Sequence, residues 1–148
     1  MSDAHIKSFF GQNTGIIFKS TSKYKPFIYI QCIKKNGKGK WEKPSNQEGK
    51  TVKFALEEII MILQVLNRQS QNWCASHIYR DKKTKLTFSW EDEETKNLWI
   101  NIGNYSKILN FAQVELLRLL LIHLVEEKII FSTSYRKKGE SWQSGHLK

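Results

Sequence analysis

The hydrophobic period changes along this chain, and the change limits the folds open to it. From Ala55 to Gln69, apolar side chains recur at Leu56, Ile59, Ile60, Leu63 and Leu66, the spacing of one helix face. Met61, Ile62 and Val65 widen that face, so this helix is expected to be covered on more than one side. Glu57 and Glu58 sit in its first turn and Arg68 in its last, which suits the helix dipole. The period then drops to two. "WCASHIYR" (Trp73–Arg80), "KLTFSW" (Lys85–Trp90) and "NLWINIG" (Asn97–Gly103) read as strands, with "DKKT" and "EDEETK" as polar turns between them. A second helix, "FAQVELLRLLLIHLVEEK" (Phe111–Lys128), follows.

Upstream, "GIIFKS" (Gly15–Ser20) reads as a short strand and "PFIYIQCIKK" (Pro26–Lys35) as the clearest one, β-branched and aromatic throughout. "KWEKP" (Lys40–Pro44) is a candidate returning arm of a hairpin. "TVKF" (Thr51–Phe54) reads as a strand or as helix entry. The order strands–helix–strands–helix, with hairpin-length links, predicts an α+β fold of antiparallel sheets and two main helices. No internal repeat survives residue-by-residue comparison.

A chain of 148 residues suffices for one domain with a real core. The expected division is a flexible N-terminal arm over 1–14, a nucleic-acid-binding domain over 15–131, and a basic, mobile tail over 132–148. The second helix is apolar almost all round, and one sheet in a small domain cannot cover all of it. A subunit interface is therefore expected there, giving a homo-oligomer, dimer or tetramer, through the apolar helices. Burial of both sides within one monomer is the competing reading.

The formal net charge is +10. Charge of this size speaks to partners and not to fold, and the matching partners are polyanions. It comes with 12% aromatic residues, five of them tryptophan. Rings for base faces and cations for phosphates form the composition of a single-strand nucleic-acid binder. Two cysteines, Cys32 and Cys74, are too few for a disulfide scaffold. No apolar run reaches bilayer length and no signal peptide is visible, so no membrane partner is expected. The expected location is cytoplasmic or nucleoid-associated, or nuclear or organellar in a eukaryote.

Splitting the strands by alternation gives candidate contact residues. Asn97, Trp99 and Asn101 share one face of "NLWINI", and Lys85 and Thr87 share one face of "KLTFSW". Trp73, His77 and Tyr79 share one face of "WCASHIYR" and are grouped with these. The stretch "KKNGKGKW" (Lys34–Trp41) adds Lys34, Lys35, Lys38, Lys40 and Trp41, with Lys43 just beyond. Glycines let backbone approach a phosphate and lysines neutralise it. Against this, a charge run is commonly a solvated face, and Trp99 could pack under a loop.

Signals for catalysis are weak, and no catalytic residue, metal ligand or cofactor is expected. "EDEE" (Glu91–Glu94) lies in a turn, and a metal-dependent nuclease needs carboxylates converging from separate elements. Cys74 and His77 lack a second ligand pair, and His123, on a leucine-rich helix, reads as structural.

"FIYIQCIKKNGKGKWEKP", then "KFALEEIIMILQVL", the meander, and "YSKILNFAQVELLRLLLIHLV" together resemble, over residues 16–131, the Whirly-type single-stranded-DNA-binding proteins and their transcription-coactivator relatives. The "KGK" at Lys38–Lys40 is similar to that family's lysine-glycine-lysine element, and the acidic-aromatic tail of some members is missing. A second resemblance is to the thermophile binder ThermoDBP. Both imply sequence-independent binding of single-stranded DNA through a basic, aromatic sheet face, with oligomers built through the helices; the expected function is non-enzymatic, in replication, repair or transcription. An RNA-binding protein of similar fold is the alternative, and a metal-dependent nuclease or phage accessory factor stands behind it.

Overall fold

The computed structural model describes residues 3–94 and 96–134. Four strands come first: β1 (His5–Phe10), β2 (Thr14–Ser20), β3 (Phe27–Lys34) and β4 (Lys50–Ala55). Helix α1 (Leu56–Leu66) follows β4 directly. Strands β5 (Asn72–Tyr79), β6 (Lys82–Trp90), β7 (Leu98–Ile102) and β8 (Tyr105–Leu109) lead into α2 (Phe111–Ser132). The strands form two four-stranded antiparallel sheets, ordered β1-β2-β3-β4 and β5-β6-β7-β8. This is the α+β arrangement expected. The chain is a four-strand-plus-helix unit built twice, a repeat of topology that the residues themselves do not show.

Alternation explains how the sheets meet. Ile16 and Phe18 on β2, Ile28 and Ile30 on β3, and Val52 and Phe54 on β4 face one way and are buried. Leu86 and Phe88 on β6, Leu98 and Ile100 on β7, and Leu109 on β8 do the same in the second sheet. Both rows join one core, where the Phe54 and Phe88 rings touch edge to face at 6.4 Å. Each fully buried side chain of this size contributes about 1.5–3 kcal/mol. The helices pack on each other and fill the core with Ile59, Ile62, Leu117, Leu121 and Leu124.

Both helix starts are built locally. Asn110 caps α2: its Oδ1 accepts the Gln113 N–H at 2.9 Å, and the Gln113 Oε1 accepts the Asn110 N–H at 3.0 Å. At α1, the Glu58 Oε1 accepts the Ala55 N–H at 3.1 Å.

Several expectations need correcting. His5–Phe10 is not part of a flexible arm: it is an edge strand paired along its length with β2, because Phe9 inserts into the core beside Phe18. The "KWEKP" arm meets the end of β3 through the Lys35–Trp41 bridge and the bond from the Glu42 N–H to the Lys34 carbonyl, and the strands that pair along β3 are β2 and β4. The first turn of the meander is Arg80–Asp81, both at positive φ, so Lys82 and Lys83 belong to β6. Of the expected tail, residues 135–148 lie outside the described residues.

One buried cation ties the two halves together. Lys128, on the last turns of α2, is fully buried. Its Nζ donates to the Ser20 Oγ at 2.8 Å, the Ser22 carbonyl at 2.8 Å and the Lys25 carbonyl at 2.7 Å. Burial pushes its pKa below the ordinary lysine value, while the three oxygens hold the ammonium in place. Lys128→Met should strip these oxygens of their donor and cost roughly 2–4 kcal/mol. Urea unfolding checks this, and an unchanged midpoint would remove Lys128 from the fold's framework.

Candidate nucleic-acid interface

The pleat that buries one face of each sheet turns the other face outward. On the second sheet this outer face carries Lys85, Thr87 and Ser89 from β6 and Trp99 and Asn101 from β7. Thr87 stands opposite Asn101, and Ser89 opposite Trp99. Trp99 is half-buried, not sealed in the core, and its Nε1 donates to the Glu91 Oε2 at 3.3 Å. The Ser106 hydroxyl donates to the Asn101 side-chain oxygen and orients that amide. Asn97 lies just before β7, half-buried, with its carbonyl accepting the Glu91 N–H at 3.0 Å. Lys85, Thr87, Trp99 and Asn101 therefore do share one surface.

Trp73 and His77 do not belong to that surface. Ser76 pairs with outward-facing Lys85, so the alternate residues of β5 point inward. Trp73 packs at 6.3 Å from buried Phe88, and His77 tilts against Phe54 at 5.4 Å. The His77 Nε2 meets the Glu58 Oε2 at 2.5 Å, linking β5 to α1. The same alternation sends Cys74 and His77 to opposite faces of the strand. Tyr79 shares their phase but lies at the end of β5 and is 66% exposed.

The lysine-rich stretch is an ordered loop. The Asn36 side-chain oxygen accepts the N–H groups of Lys38 and Lys40 at 2.8 and 3.0 Å, and the Asn36 carbonyl accepts that of Gly39 at 3.0 Å. Gly39 takes φ 78°, a conformation glycine adopts without strain. The two carboxylates of this segment are spent on the backbone. The Glu42 Oε1 accepts the Lys34 N–H at 2.9 Å, and the Glu48 Oε1 accepts the Lys43 N–H at 2.8 Å. The Lys34 Nζ lies 4.5 Å from the Tyr105 ring centre, while Lys35, Lys38, Lys40 and Lys43 are exposed. Trp41 is half-buried, edge-on to Phe10 at 5.2 Å, with the Lys35 ammonium 5.4 Å from its ring centre.

The first sheet has an outer face that the residue-level reading missed. Phe27, Tyr29 and Gln31 of β3 point away from the core, beside Lys19 of β2 and Thr51 and Lys53 of β4. The Phe27 and Tyr29 rings lie 5.4 Å apart, and the Lys53 ammonium sits 4.3 Å from the Phe27 ring centre. The signal was available: in "FIYIQC" the aromatic and amide residues alternate with Ile28, Ile30 and Cys32.

Between the two sheets, on the β4–β5 side, lies a cleft of about 580 Å³. Tyr29, Lys50, Lys53, His77, Tyr79 and Lys82 line it, with Thr51, Val52, Ile78 and Thr84. Rings and ammonium groups thus converge from both sheets, and no carboxylate is among the described residues that line the cleft. A second depression, about 430 Å³ beside Trp90, is lined by Glu93, Glu94 and Glu115 together with Arg68, Lys96 and Arg118. Its mixed charge suits a polyanion poorly. Among the described residues, none of the eight strands carries an Asp or Glu, whereas six of them carry lysine. Among the described residues, the acids occupy the loops and helices.

These features define an α+β protein of two antiparallel sheets with cationic, aromatic outer faces, and the fold is Whirly-like. Solved structures with the same architecture include WHY3 of Arabidopsis thaliana, with a TM-score of 0.64 at 10% identity, covering 86% of this chain and 90% of that one. WHY1 of Arabidopsis thaliana superposes with a TM-score of 0.63 at 8% identity, covering 85% of each chain. The MRP1/MRP2 structures of Trypanosoma bruciei give 0.64 at 10% identity over 89% of both chains. No protein-family model and no curated protein sequence matches this chain.

Two predictions follow from this geometry. Trp90 is buried, with its Nε1 donating to the Val65 carbonyl at 2.7 Å, whereas Trp99 lies on the outer face. Trp90→Ala should cost about 3–5 kcal/mol and Trp99→Ala about 1 kcal/mol or less in denaturant unfolding. Equal losses would mean that Trp99 is a core residue. Tyr105 donates its hydroxyl to the Glu42 Oε1 at 2.9 Å, and burial, then this bond to a carboxylate, pushes its pKa up to about 12. The folded protein holds that proton more tightly than the unfolded chain does. Its share of stability is therefore present below about pH 10 and lost as pH climbs to 12. Tyr105→Phe should show less alkaline destabilisation than the parent in that window, and parallel curves would refute the coupling.

Proposed function

We propose that this protein binds single-stranded DNA without sequence preference and without catalysing a reaction. The observation that carries this reading is the cleft between the sheets, where Tyr29, Tyr79 and His77 meet Lys50, Lys53 and Lys82, with no carboxylate among its described lining residues. Aromatic faces stack bases of any identity, at about 1–3 kcal/mol per base, and ammonium groups neutralise phosphates. The outer faces extend the contact surface: Trp99, Asn101, Thr87 and Lys85 on one sheet, and Phe27, Gln31 and Lys19 on the other. Lys34, Lys35, Lys38, Lys40, Trp41 and Lys43 supply a flanking grip on the backbone. Trp73 and Asn97 act as supports of that surface. The Whirly-type resemblance agrees with this reading and suggests work in replication, repair or transcription, in whichever compartment holds the DNA.

Assembly is part of the proposal. The helix side turned away from the core leaves apolar side chains exposed, with Leu119 at 57%, Ile130 at 60% and Met61 of α1 at 43%. A homo-oligomer formed through this side would remove them from water, at about 25 cal/mol per Å² of apolar surface.

Fluorescence polarisation with labelled oligo-dT, the matched RNA and the matched duplex tests the reading. Single-stranded DNA should bind tightest, and its affinity should fall with salt at a log–log slope of about −0.7 per neutralised phosphate. Lys53→Ala and Lys82→Ala should each weaken binding and make the slope shallower by about 0.7. A flat salt response would sink the lysine grip, and tighter binding of RNA would move the assignment to that polymer.

A further inference from the structure

His5, His123 and Glu127 converge although His5 opens β1 and the other two lie more than a hundred residues on, on α2. His123 and Glu127 are one helical turn apart, so they project from the same side of α2. Both imidazole Nε2 atoms lie 3.3 Å from one atom, the Glu127 Oε2. The rings stand edge to face, with centres 5.1 Å apart. All three donor atoms fall within 4.8 Å of one another.

We propose that this triad is a binding site for one divalent transition-metal ion, Zn²⁺ or a metal of similar ligand preference. Two imidazoles and a carboxylate are a ligand set that Zn²⁺ takes, with a fourth position left open to water. The spacing fits. With metal–ligand bonds of about 2.0–2.1 Å, neighbouring donors of a tetrahedron stand about 3.3–3.4 Å apart. At 3.3 Å the His5 Nε2 and the Glu127 Oε2 are also within hydrogen-bond reach, so this pair is joined with or without an ion. The second observation is the other carboxylate oxygen: the Glu127 Oε1 is buried and has no hydrogen-bond partner among the described residues. The neighbouring Lys128 ammonium donates instead to Ser20, Ser22 and Lys25. A cation held through both oxygens of this carboxylate would give the unpartnered oxygen a ligand role. The His123 side chain is 58% exposed, which leaves a path for the ion and room for a water ligand.

The consequence is mechanical. Coordination would strengthen the link between β1, the edge strand beside β2, and the far half of α2, which the His5–Glu127 contact already makes. Metal binding to the folded state alone raises its apparent stability.

The test uses the full chain, prepared without a polyhistidine tag and freed of metal by a chelator. Titration with ZnCl₂ by calorimetry should show one ion per chain and a raised unfolding midpoint. CoCl₂ should produce the visible d–d bands of a four-coordinate centre. His5→Asn, His123→Asn and Glu127→Gln should each weaken Zn²⁺ binding at least about tenfold and abolish the bands. Cys74→Ser, which removes the exposed thiol that competes for zinc, should leave both unchanged. Circular dichroism of each variant confirms that the chain remains folded, as expected for the exposed His123. No saturable binding to the parent overturns the proposal. So does binding that survives all three ligand substitutions or is lost with Cys74→Ser.

Discussion

The shared core, where the inward rows of the two sheets meet under both helices, is the constraint from which the rest of the structure follows. Phe54 and Phe88 touch across the sheets. Ile59 and Ile62 of α1 and Leu117, Leu121 and Leu124 of α2 fill the remaining volume. Each strand can bury only one of its two faces in this space. The strand residues of opposite phase are thereby forced outward, and their chemistry is free to serve something other than folding. Lys128 closes the arrangement by holding the β2–β3 connection to the end of α2.

That outward chemistry is biased. None of the described strands carries a carboxylate, and the acids of the lysine-rich segment accept backbone N–H groups, Glu42 from Lys34 and Glu48 from Lys43, with Glu42 also accepting the Tyr105 hydroxyl. Carboxylates placed on the sheet faces would repel phosphate and neutralise the lysines beside them. Placed in loops, they order the chain near the cationic surface and leave its ammonium groups uncompensated. This division of labour is what connects a +10 chain to a nucleic-acid reading.

Much of the fold was legible in residue order. The change of period from 3.6 to 2 located both helices and three strands of the second sheet, and the hairpin-length links implied antiparallel pairing. β1 escaped because "HIKSFF" is short and lies among polar residues; only the insertion of Phe9 against Phe18 makes it a strand. Trp73 and His77 face inward, opposite buried Phe88 and Thr84, and the sequence of β5 hides this because it reads as mixed on both faces. Its phase is set by pairing with β6, where Ser76 meets Lys85, and no property of β5 alone specifies it. The Tyr29 face could have been found by applying the same alternation to β3.

The sequence by itself determined the elements, their antiparallel links and the excess of positive charge, since each depends on neighbours within a few residues or on composition. Only the tertiary structure decided which faces look outward, how β4 and β5 come to flank one cleft, and that His5 stands beside His123 and Glu127. Those outcomes depend on contacts between residues far apart in the chain, and packing around a common core selects them.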